Sequence, residues 1–221
     1  WHAELLLRMV SDSGEIITPE HFLPAAERYH LMVDVDRWVI GHALKMLARL
    51  KAGLGVDRFL CAINLSGQSL SDDHALGFLV NAIEGSGLEP ENLCFEITET
   101  SAIANIQYAQ RFMSILRGMG CSFALDDFGS GLSSFAYLKR LPIDYLKIDG
   151  SFVRNILHDE TDYAMVKSIQ QIGEVMGIRT IAEFVESEPV VRQLQLLGVD
   201  FAQGYYLGKP APLADLLRAQ S

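Results

Sequence analysis

A chain of 221 residues, 49% hydrophobic and 21% charged, suffices for one large domain with a full core, and α/β barrels reach this size as one unit. A formal net charge of −10 argues against sequence-independent binding of nucleic acid, which needs a basic surface, so no DNA partner is expected. No apolar run approaches a membrane span and no secretory signal opens the sequence; Cys61, Cys94 and Cys121 fit no zinc pattern and read as reduced core residues of a cytoplasmic protein.

Glu4 to Met9 alternates and predicts a strand with Glu4, Leu6 and Arg8 on one face. Ser11 to Ile17 reads as a turn-rich connection. Thr18-Pro19-Glu20 marks a helix start with proline at the first helical position, and a short helix follows to about Tyr29. A longer amphipathic helix is predicted over Val35 to Lys51. Phe59 to Ile63 is an apolar strand ending in Asn64-Leu65-Ser66, followed by a helix over Asp73 to Ser86. Leu93 to Glu99 is the next strand, interrupted by Glu96 and closed by Glu99. A helix covers Ile106 to Met119.

Ser122 to Leu125 predicts a buried strand with Asp126 and Asp127 at its carboxyl end. Ser133 to Leu141 reads as a short helix. Tyr145 to Asp149 alternates, with Lys147 and Asp149 on one side. Asp162 to Met176 is a helix stopped by Gly177, and Arg179 to Glu183 a strand ending in Glu183. Pro189 to Leu197 is a helix closed by Gly198. Val199 to Ala202 is a last short strand, before Gln203-Gly204-Tyr205 and a terminal helix over Leu213 to Ala219. The six histidines show no ligand spacing.

Polar residues recur at the strand ends, at Asn64, Glu96, Asp126, Lys147, Glu183 and Gln203, separated by 20 to 36 residues. That is the rhythm of βα units in a parallel sheet. In a (β/α)₈ barrel all carboxyl ends form one mouth where the active site sits, whereas a doubly wound sheet binds only at its switch point. Polar residues at every end favour the barrel. Seven strands are predicted, so the eighth is expected upstream of Glu4, and residues 1–221 are read as a single domain lacking its most N-terminal strand.

An isolated Asp-Asp-x-Gly is by itself a solvated acidic loop. Here it joins Glu4, Asn64, Glu96 and Glu183, with Lys147 and Arg8 as cations. Carboxylates held together repel unless protonated or bridged by cations. Hard oxygen ligands without His or Cys point to magnesium or manganese rather than zinc. Two such ions about 4 Å apart are the usual device for phosphodiester hydrolysis. Lys147 either orients the attacking water and offsets phosphoryl charge, or serves as a structural partner for a carboxylate. Arg8 suits a bidentate grip on a phosphate.

Glu4-Leu5-Leu6-Leu7-Arg8, Asn64-Leu65-Ser66, Glu96-Ile97-Thr98-Glu99, Asp126-Asp127-Phe128-Gly129-Ser130-Gly131, Lys147-Ile148-Asp149, Ala182-Glu183-Phe184-Val185-Glu186 and Gln203-Gly204-Tyr205 resemble, in order, the motifs of the EAL domains. The resemblance implies a modified (β/α)₈ TIM-type barrel with one antiparallel strand, the first. It implies a phosphodiesterase that hydrolyses cyclic di-GMP to pGpG with two divalent cations, Mg2+ or Mn2+. By position, Glu4, Asn64, Glu96 and Asp126 are similar to first-metal ligands, and Asp127 joins Asp126 on the second metal with Glu183 nearby. Lys147 resembles the catalytic lysine that contacts the attacking water. Glu99 resembles the glutamate that steadies the loop after Asp127. Arg8, Leu5 and Gln203 fall at substrate-side positions. The resemblance further implies a homodimer through the loop Phe128 to Ser134 and an upstream sensory or diguanylate cyclase-like (GGDEF-type) domain. A catalytically silent cyclic di-GMP-binding module is the alternative; such relatives usually lose metal ligands, and none is lost here. The sequence departs from the family pattern at Leu5, at Ser130 and Leu132, and at Phe184, where glycine is common.

Overall fold

A computed structural model describes residues 2–54, 59–130 and 135–216. In chain order its elements are β1 (His2–Leu5), β2 (Met9–Val10), β3 (Ile16–Ile17), α1 (Pro19–Arg28), α2 (Met32–Leu54), β4 (Leu60–Asn64), α3 (Gly67–Leu70), α4 (Asp73–Glu84), β5 (Leu93–Thr98), α5 (Glu99–Ala104) and α6 (Ile106–Met119). There follow β6 (Ser122–Phe128), β7 (Tyr145–Ile148), α7 (Gly150–Asn155), α8 (Glu160–Met176), β8 (Arg179–Ala182), α9 (Glu188–Leu197), β9 (Phe201–Ala202) and α10 (Leu213–Leu216), with short 3₁₀ turns at Pro90–Asn92 and Phe135–Arg140. The chain divides into two compact units. The first comprises residues 1–95, 107–122 and 212–221, the second residues 96–106 and 123–211.

In the first unit β1 pairs in parallel with β4, His2 opposite Leu60 through Leu5 opposite Ile63. The strand stops at Leu5, so Arg8 is not on it, contrary to the alternation expected over Glu4 to Met9. The chain instead forms a hairpin, β2 antiparallel to β3, closed by Ser11 N–H donating to the Glu15 carbonyl at 2.9 Å. Among the described residues this is the antiparallel pair; β1 itself runs parallel to its neighbour. The helix α2 buries Ile40, Ala43, Leu44, Leu47 and Leu50, spaced as one face of a helix, and packs on α3 and α4. Met46, to one side of this face, is exposed.

Asp36 falls on the same buried face, one turn before Ile40, and a carboxylate there needs partners. Its Oδ2 accepts from Ser66 N–H at 3.0 Å, Ser66 Oγ at 2.6 Å and Ser69 Oγ at 2.6 Å. Burial nevertheless pushes the Asp36 carboxyl above its ordinary 3.8, against the pull of those hydrogen bonds. A carboxyl whose folded pKa exceeds its unfolded one binds more protons folded, so its contribution to stability falls as pH rises from the unfolded value through the folded one. Asp36→Ala strands three donors and is expected to cost about 2–4 kcal/mol. Urea unfolding should find the loss larger at pH 4 than at pH 7.

In the second unit β6, β7, β8 and β9 are parallel neighbours in that order. β6, β7 and β8 are buried on both faces along most of their length, as expected of near-continuous apolar strands under helices, whereas Phe201 of β9 is exposed and Ala202 half-buried. Helix α8 packs on β7 and β8 and carries α7 on its flank. It starts at Asp159, whose carboxylate accepts from Thr161 N–H and Asp162 N–H, and Gly177 ends it; Gly198 ends α9, both in the left-handed conformation. Cys61, Cys94 and Cys121 are buried free thiols, and burial pushes Cys121 to about 12. Among the described residues no helix is long and apolar enough to cross a membrane.

Three short helices, α3, α5 and α7, stand where the sequence assigns no helix. Each begins at the end of a strand motif, capped by Ser66, Thr98 and Asp149 respectively, whose side-chain oxygens accept backbone N–H groups. Four to six residues are too few to show a helical period. The helix expected over Ser133 to Leu141 is a 3₁₀ turn over Phe135–Arg140, and the terminal helix covers Leu213–Leu216. Residues 133–134 and 217–219 of those expectations lie outside the described residues.

Candidate active site

The site in the second unit is built on one face of three adjacent strands. Ala124 of β6 lies opposite Tyr145 of β7, and Lys147 opposite Ile181 of β8. Alternation then puts Ala124 and Asp126, Tyr145 and Lys147, and Ile181 and Glu183 on a common side. Lys147 is 1% exposed. Its Nζ lies 2.7 Å from Glu96 Oε2, 2.9 Å from Glu183 Oε1 and 3.1 Å from Asp126 Oδ1. An ammonium has three protons, and three carboxylates surround it. A buried ammonium is held by such complete pairing, and removing it, which leaves the carboxylates uncompensated, costs roughly 3–5 kcal/mol.

Asp126 and Asp127 stand near the carboxyl end of the strand, as the sequence suggests, but the strand is longer than Ser122 to Leu125 and includes them. β6 runs on through Phe128, and its register against β7 shifts between Leu125 and Phe128. Asp127 takes φ 53°, and its N–H donates to Asp126 Oδ1 at 3.0 Å. Neighbouring strand residues normally face opposite ways; the bulge re-aims one of them. Carboxylate oxygens of Asp126, Asp127 and Glu183 consequently lie within 4.8 Å of one another. One ammonium does not neutralise this group together with Glu96. Hard oxygen donors at this separation fit a divalent cation such as Mg2+, Mn2+ or Ca2+, and their chemistry disfavours zinc.

Glu99, closing motif of β5 in the sequence reading, is the first residue of α5 and 2% exposed. Its Oε2 accepts from Gly129 N–H at 3.0 Å and its Oε1 from the Tyr137 hydroxyl. It thereby ties down the start of the loop after Asp127, of which residues 131–134 are outside the description. Ser130 Oγ donates to the Asp127 carbonyl at 2.8 Å, a second tether.

In the first unit Asn64 Nδ2 donates to Glu4 Oε1 at 2.8 Å, with the two residues at the ends of paired strands. Leu5 ends β1 half-buried, and Arg8 is exposed with its guanidinium on the Leu7 carbonyl at 2.8 Å. In the second unit the backbone of Gln203 extends β9, its N–H donating to the Ala182 carbonyl at 2.8 Å and its carbonyl accepting from Val185 N–H at 2.9 Å. Sequence reasoning missed Tyr137 and Asp36. A lone tyrosine in a short turn gives no signal, but an aspartate on the apolar stripe of α2 does.

The family model described as EAL domain matches residues 1–210. The chain is 46% identical over 211 residues to "Cyclic di-GMP phosphodiesterase PdeB" of Shewanella oneidensis, a match covering 96% of this chain and 24% of that protein. It is 40% identical over 214 residues to "Cyclic di-GMP phosphodiesterase PdeF" of Escherichia coli, covering 97% and 28%. The chain thus spans about a quarter of the length of these relatives. Among solved structures, "PaMucR Phosphodiesterase, c-di-GMP complex" superposes with a TM-score of 0.91 at 36% identity, covering 96% of this chain and 86% of that one. The fold is therefore the barrel-type α/β fold expected from the strand rhythm, and the chain belongs to the EAL domain family.

Proposed function

We propose that the protein is a metal-dependent phosphodiesterase that hydrolyses cyclic di-GMP to linear pGpG, lowering a bacterial second messenger. The observation that carries this reading is the buried Lys147 ammonium inside Glu96, Asp126 and Glu183, with Asp127 beside them. The printed names of PdeB and PdeF, and the ligand in the PaMucR complex, support the substrate.

Asp126, Asp127 and Glu183 are the residues that would hold divalent cations, two Mg2+ or Mn2+ in this reading, with Glu96, Glu4 and Asn64 as further oxygen ligands by motif. When bound, the ions supply water activation and charge neutralisation at phosphorus. Lys147 holds three carboxylates in place, and its positive charge offsets charge on the attacking water or a phosphoryl oxygen. Arg8 grips a phosphate, and Leu5 and Gln203 line the substrate side. Glu99, through Gly129 and Tyr137, steadies the loop whose further residues join two copies into a homodimer. A longer, cytoplasmic parent with an upstream sensory or GGDEF-type domain completes the proposal.

Incubation of the purified protein with cyclic di-GMP and Mg2+ or Mn2+, followed by chromatography, should give pGpG. Binding of intact cyclic di-GMP in chelator, with no cleavage once metal is added, would instead make it a silent binding module.

A further inference from the structure

Phe184 follows Glu183 and has φ 52°, a left-handed conformation that a bulky side chain rarely adopts. The backbone on either side shows why the kink is there. Glu183 N–H donates to the Ile148 carbonyl of β7 at 3.4 Å, whereas Val185 N–H donates to the Gln203 carbonyl beyond β9 at 2.9 Å. In an unbroken strand residues two apart send their N–H groups to the same neighbour. The turn at Phe184 reverses that direction, so Glu183 belongs to one side and Val185 to the other.

The side chain is seated rather than buried, with 49% of the residue exposed. A Cβ on Gly150 would lie 2.0 Å from Phe184 Cδ2, so the ring occupies the space any other residue at 150 would need. One turn along α7, the Arg154 guanidinium carbon lies 4.1 Å from the ring centroid, a cation–π contact. Lys147, Ile148 and the cap Asp149 lead directly into that same helix. The ring thus fastens the backbone of Glu183 to the helix that continues the strand of Lys147. Strain retained beside a charged cluster points to a role in holding geometry.

We infer that Phe184 is a positioning residue: its ring, notched into Gly150 and covered by Arg154, holds the Glu183 carboxylate in place against Asp126 and Asp127 and so sets the affinity of that group for a divalent cation. The inference rests on the metal-dependent reading above.

The test is calorimetric Mn2+ titration of the substrate-free protein, beside steady-state kinetics. Phe184→Gly is expected to bind Mn2+ about tenfold more weakly, the scale of losing an outer support of a metal ligand. KM for cyclic di-GMP at saturating Mn2+ should stay within about twofold, because the ring supports a metal ligand and not the nucleotide. The Tm should hold or rise, since glycine accepts the left-handed conformation. Gly150→Ala, which evicts the ring and leaves Phe184 in place, should reproduce the Mn2+ defect. Arg154→Met should move affinity the same way by about two- to threefold, the size of one exposed cation–π contact. Wild-type Mn2+ affinity in Phe184→Gly, or a raised KM with unchanged Mn2+ binding, overturns the inference alone. A wild type that binds no Mn2+ overturns the metal-dependent reading as well.

Discussion

Lys147→Met is expected to lower turnover of cyclic di-GMP by about 10³-fold while Mn2+ still binds. Methionine keeps the length and apolar stem of the side chain and removes the charge. The three carboxylates that now share the ammonium, at 2.7, 2.9 and 3.1 Å, are left facing one another. Without metal the variant should therefore be less stable, by about 3–5 kcal/mol, because breaking a buried pair leaves uncompensated charge. Added Mn2+ should recover much of that loss by linkage, since only the folded form assembles the carboxylates. A purely structural lysine predicts otherwise: once Mn2+ restores the fold, turnover per folded molecule would return to the wild-type level. Thermal unfolding with and without Mn2+, next to kcat at saturating metal, separates the two roles.

Asp126→Asn should give the opposite pattern. The amide keeps the size of the side chain and its oxygen still accepts from Asp127 N–H, at 3.0 Å in the native protein. It removes one charge from a cluster in which carboxylates outnumber the ammonium. Metal-free stability should change by less than about 1 kcal/mol, because lost attraction to Lys147 is offset by lost repulsion from Asp127 and Glu183. Mn2+ affinity should fall by more than the roughly 10–100-fold that an outer-support change costs, and turnover with it. The Tm increase that Mn2+ gives the wild type should vanish. Lys147→Met thus keeps the metal and loses the chemistry, and Asp126→Asn keeps the fold and loses the metal.

Much of this arrangement is legible in the sequence because parallel strands expose their logic. Glu96, Lys147 and Glu183 each interrupt or end an apolar run, and a charge in such a run must face a site or a partner. The spacing of those interruptions gives the order of the βα units and the shared end at which they meet. What escaped was set by geometry that period and spacing do not encode. The bulge that brings Asp126 and Asp127 together depends on a left-handed residue other than glycine, which no residue pattern announces. The short helices α3, α5 and α7 hold too few residues for a period. Their caps were nonetheless visible: Ser66, Thr98 and Asp149 are all N-cap residues standing at the ends of strand motifs. The strand expected through Arg8 failed for a different reason. Ser11 to Gly14 form a tight turn that draws Met9 and Val10 into a separate hairpin with Ile16 and Ile17.

The central claim is that the carboxylates around Lys147 act by holding divalent metal for hydrolysis of cyclic di-GMP. The most direct measurement is the rate of pGpG formation by chelator-stripped protein as Mn2+ is titrated back, with bound Mn2+ counted in the same samples. The account predicts no product in the stripped protein and a rate that saturates at two Mn2+ per chain. Undiminished pGpG formation by the stripped protein, or Mn2+ bound at that stoichiometry without any pGpG, would contradict it.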